Sequence, residues 1–408
     1  MGLHMQKHPP SRGFNRAAIL QLLRRKKFLS RSELAQWSGL SQASVSRITK
    51  ELLDEGLVVE HGLGRSTGGR PSIHLQLNEN RYRAIGIDLH DWQTRLSVSA
   101  LNGRILETRL FRTADDPYKT LSSIAKHTEN YQREHPECEI VGIGVGARGF
   151  VNAQTGVVER GSDPAWQQIP LGQYLRDRLD VPVYVDNVVR AAAFAEYHHG
   201  DLAIQGSHCL VFVYVDEGIG VGVMLDGTPY YGPSMAAGEF GQMVIAETNG
   251  RTRHDRSGCL EMLASNKAIL RRYRGANGNR RGGTSGDVTA NVRQVCHEAI
   301  RGDAAAIQAL TESCRYLGIG LSNIVWGLDP DVIVVDGAIT EAWSLVKPII
   351  EREFADGAEF LNFRNLQLRP SSLSGEAAII GVAALPFDRL FRTGEFSALL
   401  STESAAHR

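Results

Sequence analysis

Between Ser41 and Glu51 the chain sets Gln42, Ala43, Ser44, Ser46, Arg47 and Lys50 against a second set, Val45, Ile48 and, just beyond, Leu52. Apolar residues at i, i+3 and i+7 mark one face of a helix. The other face is short and polar at its start and cationic further along. Small polar side chains allow close approach to base edges, and arginine and lysine reach phosphates or guanine. That is the chemistry of a DNA recognition helix. A second cationic feature is the glycine-rich stretch 62–71, with Arg65 and with Arg70 ahead of Pro71. A Gly-Arg-Pro step presents one arginine from extended backbone, a shape suited to a narrow, electronegative minor groove. A plain helical hairpin would share the first pattern, and a basic flexible linker the second.

These side chains need a scaffold, and the flanking residues describe one. Ala18, Ile19, Leu22 and Leu23 recur at helical spacing after Asn15 and run into the basic cluster Arg24-Arg25-Lys26-Lys27, which complements the negative end of a helix dipole. Ser30 followed by Glu33 has the capping-box spacing, and Gly39 suits a left-handed helix end. Leu57 to Glu60 and the alternating Ile73 to Leu77 then read as two strands around the glycine-rich loop. Three helices and a two-stranded wing make a winged helix-turn-helix over residues 1–80.

A chain of 408 residues is longer than one core supports. No window approaches the ~20 unbroken apolar residues of a membrane span, and the N-terminus lacks the pattern of a secretory signal. A cytoplasmic protein without a membrane partner is expected. Five scattered cysteines, none in a Cys-x-x-Cys pair, argue for a reducing compartment. Lys plus Arg balance Asp plus Glu at 45 each, yet residues 1–80 hold 12 of the cations and only 6 of the anions. The basic charge therefore sits where the recognition helix lies. From Ala84 onward, apolar runs such as 140–145, 181–185 and 209–215 alternate with helical stretches, and Asp331 to Ala338 repeats a strand-then-glycine theme. Those runs read as α/β layers with buried strands.

The run from Ser30 to Arg47, with Gly-Gly-Arg-Pro at 68–71, resembles the N-terminal segment of ROK family repressors of the xylose-operon and N-acetylglucosamine repressor type. The resemblance implies that the body, to about residue 390, is a two-lobed α/β actin-like ATPase fold of the sugar-kinase kind. Lobe one is expected over about 81–196 plus 376–396, lobe two over about 197–375, and a flexible tail over 397–408. The family joins repressors and kinases, so the catalytic parts decide between them.

Kinases of this fold carry Asp-x-Gly-Gly-Thr after the first strand, where this chain has Asp88-Leu89-His90-Asp91-Trp92. Bulk and a carboxylate replace the backbone donors that phosphates need. The second phosphate loop, Gly-Thr-Gly-Ile-Gly in kinases, is Asp216-Glu217-Gly218-Ile219-Gly220, which is expected to turn two acids toward the phosphate position. The kinase Asn-Asp pair is Asn187-Val188, and valine accepts no proton. Asp186, its near neighbour, is expected on the other strand face. The resemblance thus implies a catalytically inactive kinase-like sensor with no cofactor.

On the same resemblance, Asn187, Glu239 and Glu261 match residues that hydrogen-bond sugar hydroxyls, with Gln242 at the family's usual histidine. Helix capping or ion pairing would equally occupy the two glutamates. Arg148 replaces a usual proline and leaves room for an altered or anionic ligand. Of the family's structural zinc set only Cys259 and the neighbouring His254 remain as candidate ligands, two where a closed site needs four, so no metal is expected. The implied mechanism is a homodimer or homotetramer placing winged helices on a double-stranded DNA operator. A small sugar-like effector between the lobes would shift the DNA-binding heads. A repressor governed by a protein partner, and an active ROK sugar kinase, are the alternatives.

Overall fold

A computed structural model describes residues 12–63, 72–90, 92–161, 163–201, 204, 206–247, 258–276, 287–355 and 366–395. Arg65, Arg70, His254 and the expected tail over 397–408 lie outside them. The chain opens with helix α1 (Arg12–Lys26), a two-residue strand β1 (Leu29–Ser30), α2 (Arg31–Ser38), α3 (Gln42–Asp54), β2 (Val58–Leu63) and β3 (Ile73–Leu77), with sheet order β1-β3-β2. Local chemistry sets the boundaries. Ser30 accepts from Glu33 N–H while Glu33 accepts from Ser30 N–H, closing a capping box on α2. Gly39 ends that helix at φ +70°, and Ser41 caps α3 by accepting from Ser44 N–H at 3.2 Å. Val45, Ile48 and Leu52 are fully buried.

Contacts divide the chain into two compact units, 1–191 with 378–408, and 192–377. In the first, β4 (Tyr82–Leu89), β5 (Gln93–Ala100) and β6 (Ile105–Arg112) form an antiparallel meander. After α4 (Pro117–Glu134), β7 (Glu139–Ala147) joins β4 in parallel. A hairpin of β8 (Gly149–Asn152) and β9 (Val157–Gly161), then α5 (Leu171–Arg178), lead to β10 (Val183–Asn187), parallel to β7. Helix α6 (Val188–His199) carries the chain out of this unit.

The second unit repeats the plan. Antiparallel β11 (Cys209–Val215), β12 (Ile219–Leu225) and β13 (Thr228–Pro229) precede helices α7 (Leu260–Ala264), α8 (Asn266–Ala276), α9 (Val288–Ile300) and α10 (Ala304–Leu328). Strand β14 (Val332–Asp336), helix α11 (Trp343–Ala355) and β15 (Gln367–Pro370) follow, both strands parallel to β11. Numbered within each sheet, both orders are 3-2-1-4-5.

Helix α12 (Ala377–Thr393) returns to the first unit and lies so close to its sheet that four strand positions beneath it, Gly86, Gly142, Gly144 and Gly146, are glycine. A Cβ on Gly144 would fall 1.8 Å from Val382 O, and one on Gly86 2.8 Å from Ala383 N. The far end of α12 packs into the DNA-binding head: Phe387, Leu390 and Phe391 share one core with Ile19, Leu20, Leu23, Leu57 and Tyr82. The head is thereby continuous with the base of the first sheet.

Candidate DNA interface and sensor site

With its apolar face in that core, α3 leaves Gln42, Ala43, Ser46, Arg47 and Lys50 exposed and Ser44 half-buried. Arg47 bonds back to Glu51 at 3.0 Å while keeping half its surface. Two other cations of the basic N-terminus belong to the interior. Arg16 is 5 % exposed; its Nε donates to Gly394 O at 2.7 Å, and its other nitrogens bind Glu51 of α3 and Glu55 at that helix's C-cap. Arg24 lies over the Phe391 ring at 4.3 Å, and burial pushes its pKa down to about 10. The expectation that the 24–27 cluster forms a basic last turn holds for the helix, but Arg24 is sealed against α12. A charge count cannot separate a solvated cation from one buried by a distant helix.

In the first unit the ends of β4, β7 and β10 align. Asp88 and Asp186 both stand opposite Gly146, and Asn187 opposite Ala147. Asp186 is locked by Arg190: Nε to Oδ1 is 2.7 Å with both side chains almost fully buried, and Oδ1 also accepts from Asn187 N–H. The carboxylate thus faces a guanidinium rather than a reacting hydroxyl. Val188, in the base position, is 5 % exposed. Asn187 itself does structural work: its Oδ1 accepts from Val189 and Arg190 N–H, capping α6, and its Nδ2 donates to Gly149 O at 2.8 Å. Neither Arg190 nor the Gly149 carbonyl was legible beforehand.

The second unit holds the remaining positions. Gly238 adopts φ +98° with Val221 O where a Cβ would lie, 2.1 Å away, and so starts a 3-10 turn over Glu239–Gln242. Glu239 is exposed and Gln242 half-buried, and both line an open depression of about 390 Å³ with Gly238, Phe240 and Met243. Glu261, on α7, accepts from Ile219 N–H at 3.1 Å through Oε2. That carboxylate therefore caps the glycine loop after β11.

The loop also corrects an expectation. Asp216 and Glu217 do not stand as two acids facing a phosphate. Asp216 Oδ1 accepts from Thr289 Oγ1 at 2.7 Å and Asn266 Nδ2 at 3.4 Å, and Glu217 pairs with Lys267 at 2.8 Å. Helix starts α8 and α9 supply donors that the run 216–220 does not contain. Cys259 is buried beside Val244, and among the described residues no group of three or more His, Cys, Asp or Glu is placed to hold a metal.

Comparison with known proteins follows this division. Residues 84–389 match the ROK family model, and residues 15–59 match a winged helix-turn-helix DNA-binding model. A putative xylose repressor of Caldicellulosiruptor sp. (strain Rt8B.4) is 29 % identical over 389 residues, 93 % of this chain and 97 % of that one. The DNA-binding transcriptional dual regulator NagC of Escherichia coli (strain K12) is 29 % identical over 346 residues, 83 % of each. Among solved structures, a ROK family transcriptional regulator described as a homolog of the E. coli MLC protein superposes with a TM-score of 0.78. It is 24 % identical and covers 95 % of this chain and 99 % of its own.

Proposed function

Because the chain belongs to the ROK family and carries a winged helix-turn-helix ahead of that domain, we propose that it is a sequence-specific DNA-binding repressor of carbohydrate-use genes and not an enzyme. The observation that carries this reading is the pairing of an exposed polar face on α3 with a disarmed base position. Val188 takes no proton, and the adjacent Asp186 is held by Arg190. Loss of a general base alone lowers rate by a factor of about 100 to 10,000.

Gln42, Ala43, Ser44, Ser46, Arg47 and Lys50 read the operator from the major groove, and Arg65 and Arg70 contact phosphate or the minor groove. The protein acts in the cytoplasm as a homodimer or homotetramer, so that two heads meet operator half-sites related by its own two-fold axis. A small sugar or sugar derivative is the effector, sensed by Asn187, Glu239, Gln242 and Glu261. A hundredfold change in operator affinity requires a state preference of about 2.7 kcal/mol, within reach of a few hydroxyl hydrogen bonds. The test is an electrophoretic shift on the DNA upstream of the protein's own gene, repeated with monosaccharides, amino sugars and their acids and phosphates. A specific shift altered by one compound supports the reading. No specific shift refutes the repressor, and a shift indifferent to every compound refutes the sugar effector.

A further inference from the structure

On the outer face of α3 the half-exposed Arg47 is tied to a chain of bonds that begins at the far end of the protein. Gly394 closes α12 at φ +68°, where a Cβ would fall 2.4 Å from Gly13 O, and its own carbonyl accepts from Arg16 Nε at 2.7 Å. The buried Arg16 reaches Glu51 Oε2 with Nη1 at 3.1 Å and Glu55 with Nη2. Glu51 Oε1 then accepts from Arg47 Nη1 at 3.0 Å. With one oxygen on each arginine, the Glu51 carboxylate has a single orientation, set from behind by Arg16 and presented in front to Arg47.

The front pair does little for the helix. An exposed i, i+4 ion pair adds little stability, and less when the cation stands on the N-terminal side, as Arg47 does. Its charges bear on the partner instead. A carboxylate 3.0 Å from the guanidinium offsets part of its charge and repels a phosphate brought to it, but leaves the neutral edge of a base unopposed. Arg47 bonds Glu51 through Nη1, so Nε and Nη2 remain for a pair of acceptors. Guanine offers such a pair, O6 and N7, in the major groove.

We propose that Arg47 reads a guanine of the operator and that Glu51 is the positioning residue that makes it a base reader instead of a phosphate contact, with Arg16 holding Glu51 in place. The proposal rests on the DNA-binding reading of α3 and narrows it to one side chain, one base and one buttress. Phosphate contacts fix register and attract any sequence, whereas base contacts specify. The arrangement therefore confers sequence discrimination at one base pair of each half-site.

The test is fluorescence anisotropy of the full-length protein on the operator fragment upstream of its own gene, at fixed salt, with each G·C pair of a half-site replaced in turn by A·T. In the wild type one replacement weakens binding by about tenfold or more. Arg47→Lys keeps the charge but not the fork, and Glu51→Gln keeps an acceptor but not the charge. In both, the penalty at that pair falls to about threefold or less while the penalties at other pairs persist. Glu55→Gln also takes a partner from Arg16 but does not touch Arg47, so it keeps the full penalty, which separates positioning from lost stability. Melting curves check each fold, and should Glu51→Gln unfold, Glu51→Asp takes its place with the same expectation. A folded Glu51 variant that keeps the penalty overturns the proposal, as does an equal loss in Glu55→Gln. So does an Arg47→Ala protein that weakens on every sequence alike with a shallower salt dependence, the behaviour of a phosphate contact. These three outcomes leave DNA binding standing. Absence of any specific complex overturns the proposal together with the reading beneath it.

Discussion

The turns after β4 and after β11 occupy the same place in two sheets of the same strand order, yet they are finished in opposite ways. After β11 the chain closes the turn on itself: Asp216 takes donors from Asn266 and Thr289, Glu217 takes Lys267, and Glu261 takes the Ile219 amide. After β4 the equivalent carboxylate, Asp88, has a buried oxygen with no donor among the described residues, and Arg148 Nη lies 2.9 Å from His90 Nε2. Corresponding strands of one duplicated fold thus separate a turn whose carboxylates all take described partners from a turn that leaves one carboxylate oxygen without a described donor. A similar contrast runs through the strands. Gly86 and Gly144 lie under α12, while Val334 and Val335 of β14 fill their own unit's layers.

The largest expected effect breaks the strand contrast. Gly144→Ala puts a Cβ against the Val382 carbonyl, which cannot move without displacing α12, and costs about 3 kcal/mol or more. Urea melts measure it, and wild-type stability would mean that α12 is not seated on the first sheet. Next is the junction that only the first unit possesses. Arg16→Met leaves Glu51 and Glu55 without their shared cation beneath α3. Both glutamates are partly solvated, so the cost is about 2 kcal/mol, and operator affinity measured by fluorescence anisotropy falls with it.

The two carboxylates can be tested directly against each other. Thr289→Val removes a donor from Asp216 and costs about 1–3 kcal/mol, whereas Asp88→Asn removes only a 3.9 Å contact to His90 and costs less than about 1 kcal/mol. Equal losses in thermal melts would end the distinction between a closed and an open turn. The smallest effect lies in the head. Bonds from the Ser30 backbone N–H and then its hydroxyl hold the Glu33 carboxyl below the usual glutamate range. Its contribution is present above the unfolded pKa and is lost as pH falls through the lower folded value. Glu33→Gln flattens the acid limb of a melting-temperature profile slightly, because the group is mostly exposed.

The head was legible wherever its signals are local. The i, i+3, i+7 repeat of Val45, Ile48 and Leu52, the Ser30–Glu33 capping box and the left-handed Gly39 each depend on neighbours within a turn or two. The burial of Arg16 and Arg24 was not legible in the count of N-terminal cations, because their partners, Gly394 and Phe391, are more than 360 residues away. Asn187 and Glu261 were placed as ligands by resemblance, while their bonds to α6 and to the Ile219 amide emerge only when the strand ends come together.

The amino-acid sequence by itself determined what no fold can restore: Val188 has no group to take a proton, and the outer positions of α3 are polar and cationic. The tertiary structure decided which charges meet. It buried Arg190 against Asp186, brought Thr289 to Asp216, and left Arg148 beside His90. The reason is physical: a side chain's chemical type belongs to the residue, but the state and use of a charge belong to the partners and the solvent that packing gives or denies it.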